Sequence, residues 1–226
     1  MIRDPEEILR VTFTNNNMVK VTLFKDEVAE TKYITFEDFA SAVLSAKDST
    51  DEKVQFKTPI LPKNCVQYIE LSNNSYIIVL KREKGNIDMI YGNRVFKQVG
   101  IPTLLFAFKL YKNTLHAGYV VAVKDTKFIT LDTKLYYYPF SNVYEYLHKI
   151  CWGSNKLPTF DEVAYTQNIP DMFLSMPNSS HNYGKNLSGL EYRPLLEALE
   201  GKEFNEDWLL EANQTYGEWI NMIIKN

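Results

Sequence analysis

Cysteine is scarce in this chain: Cys65 and Cys151 are the only two among 226 residues. No export signal accompanies them, which argues against a disulfide framework and leaves each thiol to be judged by its own surroundings. Histidine is nearly as rare, with three copies, and the two cysteines stand 86 residues apart. No metal-ligand spacing results, and neither a metal site nor a cofactor is expected. Neither Gly-x-x-x-x-Gly-Lys nor Gly-x-Gly-x-x-Gly occurs, so any ATP-driven activation has to come from a partner. A basic excess is also missing. Lys and Arg number 25 against 28 for Asp and Glu, a formal net charge of −3, which leaves nothing to neutralise a phosphate backbone and makes nucleic acid an unexpected partner. No run approaches the roughly 18 uninterrupted apolar residues of a membrane helix, and Met1 to Glu7 lack the apolar core of a signal peptide. No membrane association is expected, and the expected location is the cytoplasm. What remains is a globular composition, 45% hydrophobic and 14% aromatic with 23% charged residues. Its length suits one large domain or two small ones at roughly 100–200 residues each.

Residues 8–24 place two β-branched runs around Asn15-Asn-Asn17 and predict a hairpin, because Asn tolerates the positive φ of tight turns. Residues 35–46 predict a helix capped by Thr35, with Phe36, Phe39, Ala40, Val43 and Leu44 on one face. The polar run 47–53 that follows reads as a linker or long loop. It divides an amino-terminal hairpin and helix extension, 1–53, from a main domain, 54–226. From Cys65 to Tyr144 short strands alternate with turns, including Asn73-Asn74, and predict an antiparallel meander of about four strands. Leu104 to Phe108 is almost wholly apolar and belongs at its centre. Residues 85–98 suit either a strand pair or a short helix. Past Pro139 the chain turns irregular, then residues 194–200 and 204–224 read as helical, the second with Trp208, Leu209, Ala212, Tyr216, Trp219, Ile220 and Ile223 near a 3.6-residue period. The fold class is therefore α+β, with helices flanking the meander.

The segment that carries chemistry is Leu135-Tyr-Tyr-Tyr-Pro-Phe-Ser-Asn-Val-Tyr-Glu-Tyr-Leu-His-Lys-Ile-Cys-Trp-Gly153. A strand runs into a proline, Asn142-Val-Tyr follows, and nine residues after Asn142 comes Cys151 between Ile150 and Trp152. This resembles the active-site stretch of ubiquitin-conjugating enzymes, in which a His-Pro-Asn motif leads to the catalytic cysteine. Here Phe140-Ser141 separate the proline from the asparagine, no histidine precedes the proline, and the loop is one residue longer. The stretch is closer to a divergent bacterial branch, the prokaryotic conjugating-enzyme-like family D, which includes protein B of PRTRC systems of plasmids and phages. There Asn-Val-Tyr leads to Cys-Trp-Gly or Cys-Leu-Gly, and a Phe-then-His segment follows, matched by Phe173 and His181. The resemblance spans about residues 100–185 and leaves residues 1–60 uncovered.

It implies a carrier that takes a ubiquitin-like protein from an adenylating activating enzyme as a thioester on Cys151 and passes it to an amine, in a bacterial, mobile-element or antiphage-defence setting. Thiol chemistry suits that task, since sulfur attacks as thiolate and leaves readily. An asparagine amide near the sulfur can donate to the oxyanion of the tetrahedral intermediate, and Asn142 is the candidate, though the equivalent residue also serves to hold the loop. His181 is the candidate to approach the thiol or deprotonate an amine. His148, three residues before the cysteine, reads as a surface residue.

Other readings stand beside this one. Cys151, flanked by Ile and Trp, also reads as a buried packing residue, although Gly153-Ser-Asn and Pro158 mark a loop after it. Cys65 reads as strand packing. Asn142 also suits a turn cap, and His181 a polar loop. The chain then becomes a catalytically inactive interaction module of the same fold. A cysteine hydrolase built on Cys151 and His181 is the third reading, weakened by the lack of a helix start beneath the thiol.

Overall fold

The computed structural model describes residues 8–14, 17–25, 28–46, 57–124 and 126–226. The expected linker, 47–53, and two of the three turn asparagines, Asn15 and Asn16, lie outside the described residues. The chain divides into two compact units, Met1–Lys57 and Thr58–Asn226.

The first unit holds β1 (Leu9–Phe13), β2 (Met18–Lys25), β3 (Val28–Thr35) and α1 (Phe36–Ala46). The strands form an antiparallel sheet in that order, so the expected hairpin gains a third strand. The run Val28-Ala-Glu-Thr-Lys lacks an apolar alternation, and β3 is correspondingly exposed along most of its length. Thr35 caps α1: its Oγ1 accepts from the Asp38 N–H at 3.0 Å and donates to Asp38 Oδ2 at 2.7 Å. Phe13 of β1 packs on Phe36 and Phe39 of the helix.

The second unit is built on a six-stranded antiparallel sheet. Its strands are β4 (Cys65–Glu70), β5 (Ser75–Arg82), β8 (Thr103–Tyr111), β9 (Thr114–Val123), β10 (Lys134–Tyr136) and β11 (Glu211–Thr215), ordered β11-β10-β9-β8-β5-β4. Between β5 and β8 the chain makes a separate hairpin of β6 (Gly85–Tyr91) and β7 (Arg94–Ile101). Residues 85–98 are therefore strands, not a helix. Both faces of the sheet are covered. On one, Ile78, Leu80, Phe106, Phe108 and Val120 pack with Phe96 of the hairpin, Phe173 of α2 (Ile169–Leu174) and Leu195 of α3 (Tyr192–Leu199). On the other, Ile77, Val79, Leu105, Ala107 and Val121 meet Tyr216, Trp219, Ile220 and Ile223 of α4 (Tyr216–Lys225). Two-sided burial explains the apolar run Leu104–Phe108, since β8 has no solvent face on which polar residues could alternate.

The helix expected over 204–224 forms only in its second half. Trp208 lies in a single 3-10 turn, β11 follows, and a capping box of Thr215 and Glu218 starts α4. Asn205, Asn213 and Thr215 favour local bonds to the backbone over a continuous helix. Asn213 takes a positive φ of 52° in this stretch.

Candidate functional site

The cysteine stands at the base of a narrow hairpin, 142–151. The Cys151 N–H donates to the Asn142 carbonyl at 2.8 Å, Val143 and Ile150 pair as an antiparallel bridge, and the Tyr144 N–H donates to the Lys149 carbonyl at 2.8 Å. The returning arm adds to β9, through Ile150 N–H to the Gly118 carbonyl at 2.8 Å and a Tyr119–Lys149 bridge. Gly118 suits a close approach: a Cβ there would lie 3.0 Å from both the Ile150 and Trp152 side chains, tighter than ordinary contact.

Both cores clamp this hairpin. Val143, Ile150 and Trp152 enter the cluster around Phe106 and Phe173, while Leu147 at the tip enters the α4 cluster, where Trp219 Nε1 donates to its carbonyl at 3.4 Å. Asn142, Leu147 and His148 adopt positive φ of 66°, 57° and 58°. Asn tolerates that region, whereas a leucine held there carries strain of about 1–3 kcal/mol that the packed surroundings must offset.

Trp152 turns inward, 9% exposed, with its ring on Phe173. The neighbouring Cys151 is half-buried. The Tyr144 hydroxyl donates to Cys151 Sγ at 3.2 Å, and the Asn182 side chain in turn bonds to that hydroxyl. The hydrogen bond to Cys151, followed by the electrostatic interaction with that side chain, holds the Tyr144 phenol above its ordinary pKa, with the Asn182 bond acting the other way. A chain of donors, Asn182 to Tyr144 to Cys151, therefore ends on sulfur.

The proposed site residues come together unequally. Asn142 lies directly across from Cys151, and its Nδ2 donates to the Pro177 carbonyl at 3.0 Å, tying the hairpin base to the loop after α2. His181 is exposed in the same loop region, its carbonyl accepting from Ser179 Oγ at 3.3 Å. Its neighbour Asn182 is the residue that reaches the Tyr144–Cys151 pair. His148 is not a surface residue: it is 6% exposed, its ring tilted against that of Tyr137 with centroids 5.1 Å apart. Its imidazole is bonded to Gln214, and burial pushes it below its ordinary pKa. The positive φ at Leu147 and His148 turns the imidazole inward, which an extended reading of the segment does not anticipate. Cys65 on β4 is half-buried, and burial pushes its thiol up. The sequence pointed to Tyr144 only as part of Asn-Val-Tyr; its hydroxyl contact depends on the two hairpin arms facing each other.

The ground around the hairpin is braced. Ser141, fully buried, donates through Oγ to Asn178 Oδ1 at 2.9 Å, and the Asn178 N–H donates to the Ile90 carbonyl of β6 at 2.7 Å. Gly184 N–H donates to the Phe140 carbonyl at 2.8 Å, and a Cβ on Gly184 would lie 2.1 Å from the Tyr138 carbonyl oxygen. A cavity of about 190 Å³ opens beside the hairpin, with Tyr144, Glu145, His148, Asn182 and Lys185 on its wall. A wider groove of about 890 Å³ runs between the hairpin tip, β11 and α4, and His148 borders both. Among the described residues no cluster of three or more His, Cys, Asp or Glu could hold a metal ion, and no helix is long and apolar enough to cross a membrane.

Comparison with protein families matches residues 36–210 to prokaryotic E2 family D. The match begins at the first residue of α1 and so extends well before residues 100–185, the stretch that carries the resemblance, into the part that the resemblance leaves uncovered. Searches of curated proteins and of solved structures return no significant match. With most of its length matched and a cysteine hairpin braced on an α+β fold, the chain belongs to prokaryotic E2 family D, a family of conjugating-enzyme-like proteins.

Proposed function

We propose that this protein carries the carboxyl terminus of a ubiquitin-like protein as a thioester on Cys151 and passes it to an amine. The observation that carries the reading is the placement of the thiol. Cys151 is half-buried, its large neighbour Trp152 is folded away into the core, and a tyrosine hydroxyl is aimed at the sulfur. A cysteine used only for packing has no need of a donor of this kind.

Each step follows from those groups. Incoming thioester exchange forms the Cys151 S–C bond and releases the donor thiol. The Tyr144 hydroxyl donates to charge on sulfur whenever Cys151 attacks or leaves. Asn142 serves first as an anchor: one amide hydrogen is committed to Pro177, and the other remains to donate toward an oxyanion. His181, exposed and adjacent to Asn182, is the residue assigned to take the proton of an incoming amine. Family membership supports a ubiquitin-like partner in general terms, and the activating enzyme is the source of the thioester that this reading requires.

The test is incubation with the cognate activating enzyme, ATP and ubiquitin-like protein, followed by a non-reducing gel. A thiol-sensitive adduct is expected, absent in Cys151→Ala. No adduct with the native chain, or one that survives Cys151→Ala, leaves the inactive interaction module as the better reading.

A further inference from the structure

A primary amine, that of Lys185, lines the same cavity as Tyr144, the residue whose hydroxyl reaches Cys151 Sγ. Lys185 Nζ lies 2.5 Å from Glu145 Oε1 and 5.4 Å from the centroid of the Tyr137 ring. Glu145 directly follows Tyr144, whose hydroxyl touches Cys151 Sγ. Lys185 and Tyr144 border the same cavity of about 190 Å³. No other lysine borders that cavity among the described residues. The carboxylate and the ring face make a seat for an ammonium group. Lys185 remains half exposed, so its side chain can leave this seat without breaking a core contact.

We infer that Lys185 is an internal acceptor, and that an acyl group carried on Cys151 can pass to its Nζ. The inference rests on the reading of Cys151 as a carrier. In the step, Lys185 first gives a proton to water or buffer base. Its lone pair then attacks the thioester carbonyl carbon, an N–C bond forms, the C–S bond breaks, and Cys151 leaves as thiolate and takes up a proton. Thioester and amine become amide and thiol, and no oxidant or other reactant enters. The Glu145 carboxylate holds the Lys185 ammonium protonated above its ordinary range, so transfer is slow at neutral pH and quickens as pH rises. A lysine-bearing acceptor and Lys185 would then compete for one seat.

The probe is the mercaptoethanesulfonate thioester of acetylglycine, incubated with the full chain and followed by intact mass and tandem mass spectrometry. It bypasses the activating enzyme. Expected first is a thiol-labile acetylglycyl group on Cys151, then a thiol-stable one on Lys185 that accumulates faster at pH 9 than at pH 7. Lys185→Arg, which keeps a cation for Glu145, retains the labile adduct and loses the stable one. Cys151→Ala loses both. The inference is overturned if the labile adduct forms but never converts, or if the stable group appears on another lysine such as Lys149. It is also overturned if Lys185 is acylated equally in Cys151→Ala. A chain that never acquires the labile adduct overturns the carrier reading itself, a different failure from a thioester that stays where it formed.

Discussion

Tyr144 is exposed beside the thiol, with its hydroxyl 3.2 Å from Cys151 Sγ and its backbone fixed across the hairpin to Lys149. The phenol bonds only to Cys151 and Asn182 among the contacts described, so removing its hydroxyl takes no core contact from the fold. Tyr144→Phe is expected to slow thioester exchange at Cys151 several-fold, read by mass spectrometry with a small thioester, without shifting the thermal midpoint. An unchanged exchange rate would remove the phenol from the chemistry. His148 makes the opposite kind of claim, about stability and not rate. Its folded pKa lies below the ordinary imidazole value of about 6.5 because burial disfavours the cation. As pH falls through about 6.5 the unfolded chain takes up a proton that the folded chain refuses, so unfolding becomes easier until the folded imidazole also titrates. Gln214 and Glu145 face the ring and oppose this in part. The native chain is expected to lose a few degrees of midpoint more than His148→Gln between pH 7.5 and pH 5. Parallel melting curves for the two would show that the buried imidazole is not the group responsible.

At the scale of elements, the cysteine hairpin is stiff because other segments cross it. The segment around Gly184 lies so close to residues 138–140 that an added methyl would sit 2.1 Å from one carbonyl oxygen and 2.6 Å from the next. Backbone, not a pliant side chain, is in the way, so Gly184→Ala is expected to destabilise by about 3 kcal/mol. Gly153, with φ +58° and no atom within 4 Å of a built Cβ, should cost only about 1 kcal/mol as alanine, for its backbone alone. Urea midpoints at constant slope separate the two, and equal losses would mean that the crossing relaxes freely. This scale also marks what could be read from the chain. Asn73 and Asn74 take φ of 59° and 58° in the turn their identity suggests, Thr35 caps α1, and β8 is central as its apolar run requires. Local chemistry decides all three. The helical rhythm over 204–224 is fortuitous, because Trp208 belongs to a 3-10 turn, Ala212 to β11 and only Tyr216 onward to α4. At the site, Asn142 and Cys151 are legible because they face each other within one hairpin. Asn182 and Lys185 are not, since their approach to Tyr144 and Glu145 is fixed by backbone contacts some 40 residues apart in sequence, such as Gly184 to Phe140.

For the whole molecule, the boundary between the two compact units falls within the stretch that matches the family, after α1 and before β4. Among the described residues, the second unit nonetheless supplies what the cysteine hairpin rests on: β9 beneath its returning arm, Phe173 against Trp152, and α4 under Leu147. Its sheet has both faces covered from within residues 58–226, and a chain of that size buries about 70% of the surface its unfolded form exposes, enough to support cooperative folding. Residues 58–226 expressed alone are therefore expected to unfold in one transition. Their Cys151 should exchange with the acetylglycine thioester within about twofold of the full chain, since no described group of the thiol's surroundings is lost. A fragment that folds but exchanges far more slowly would show that α1 or the three-stranded sheet acts on the thiol. One that does not fold would make the first unit part of the conjugating-enzyme core.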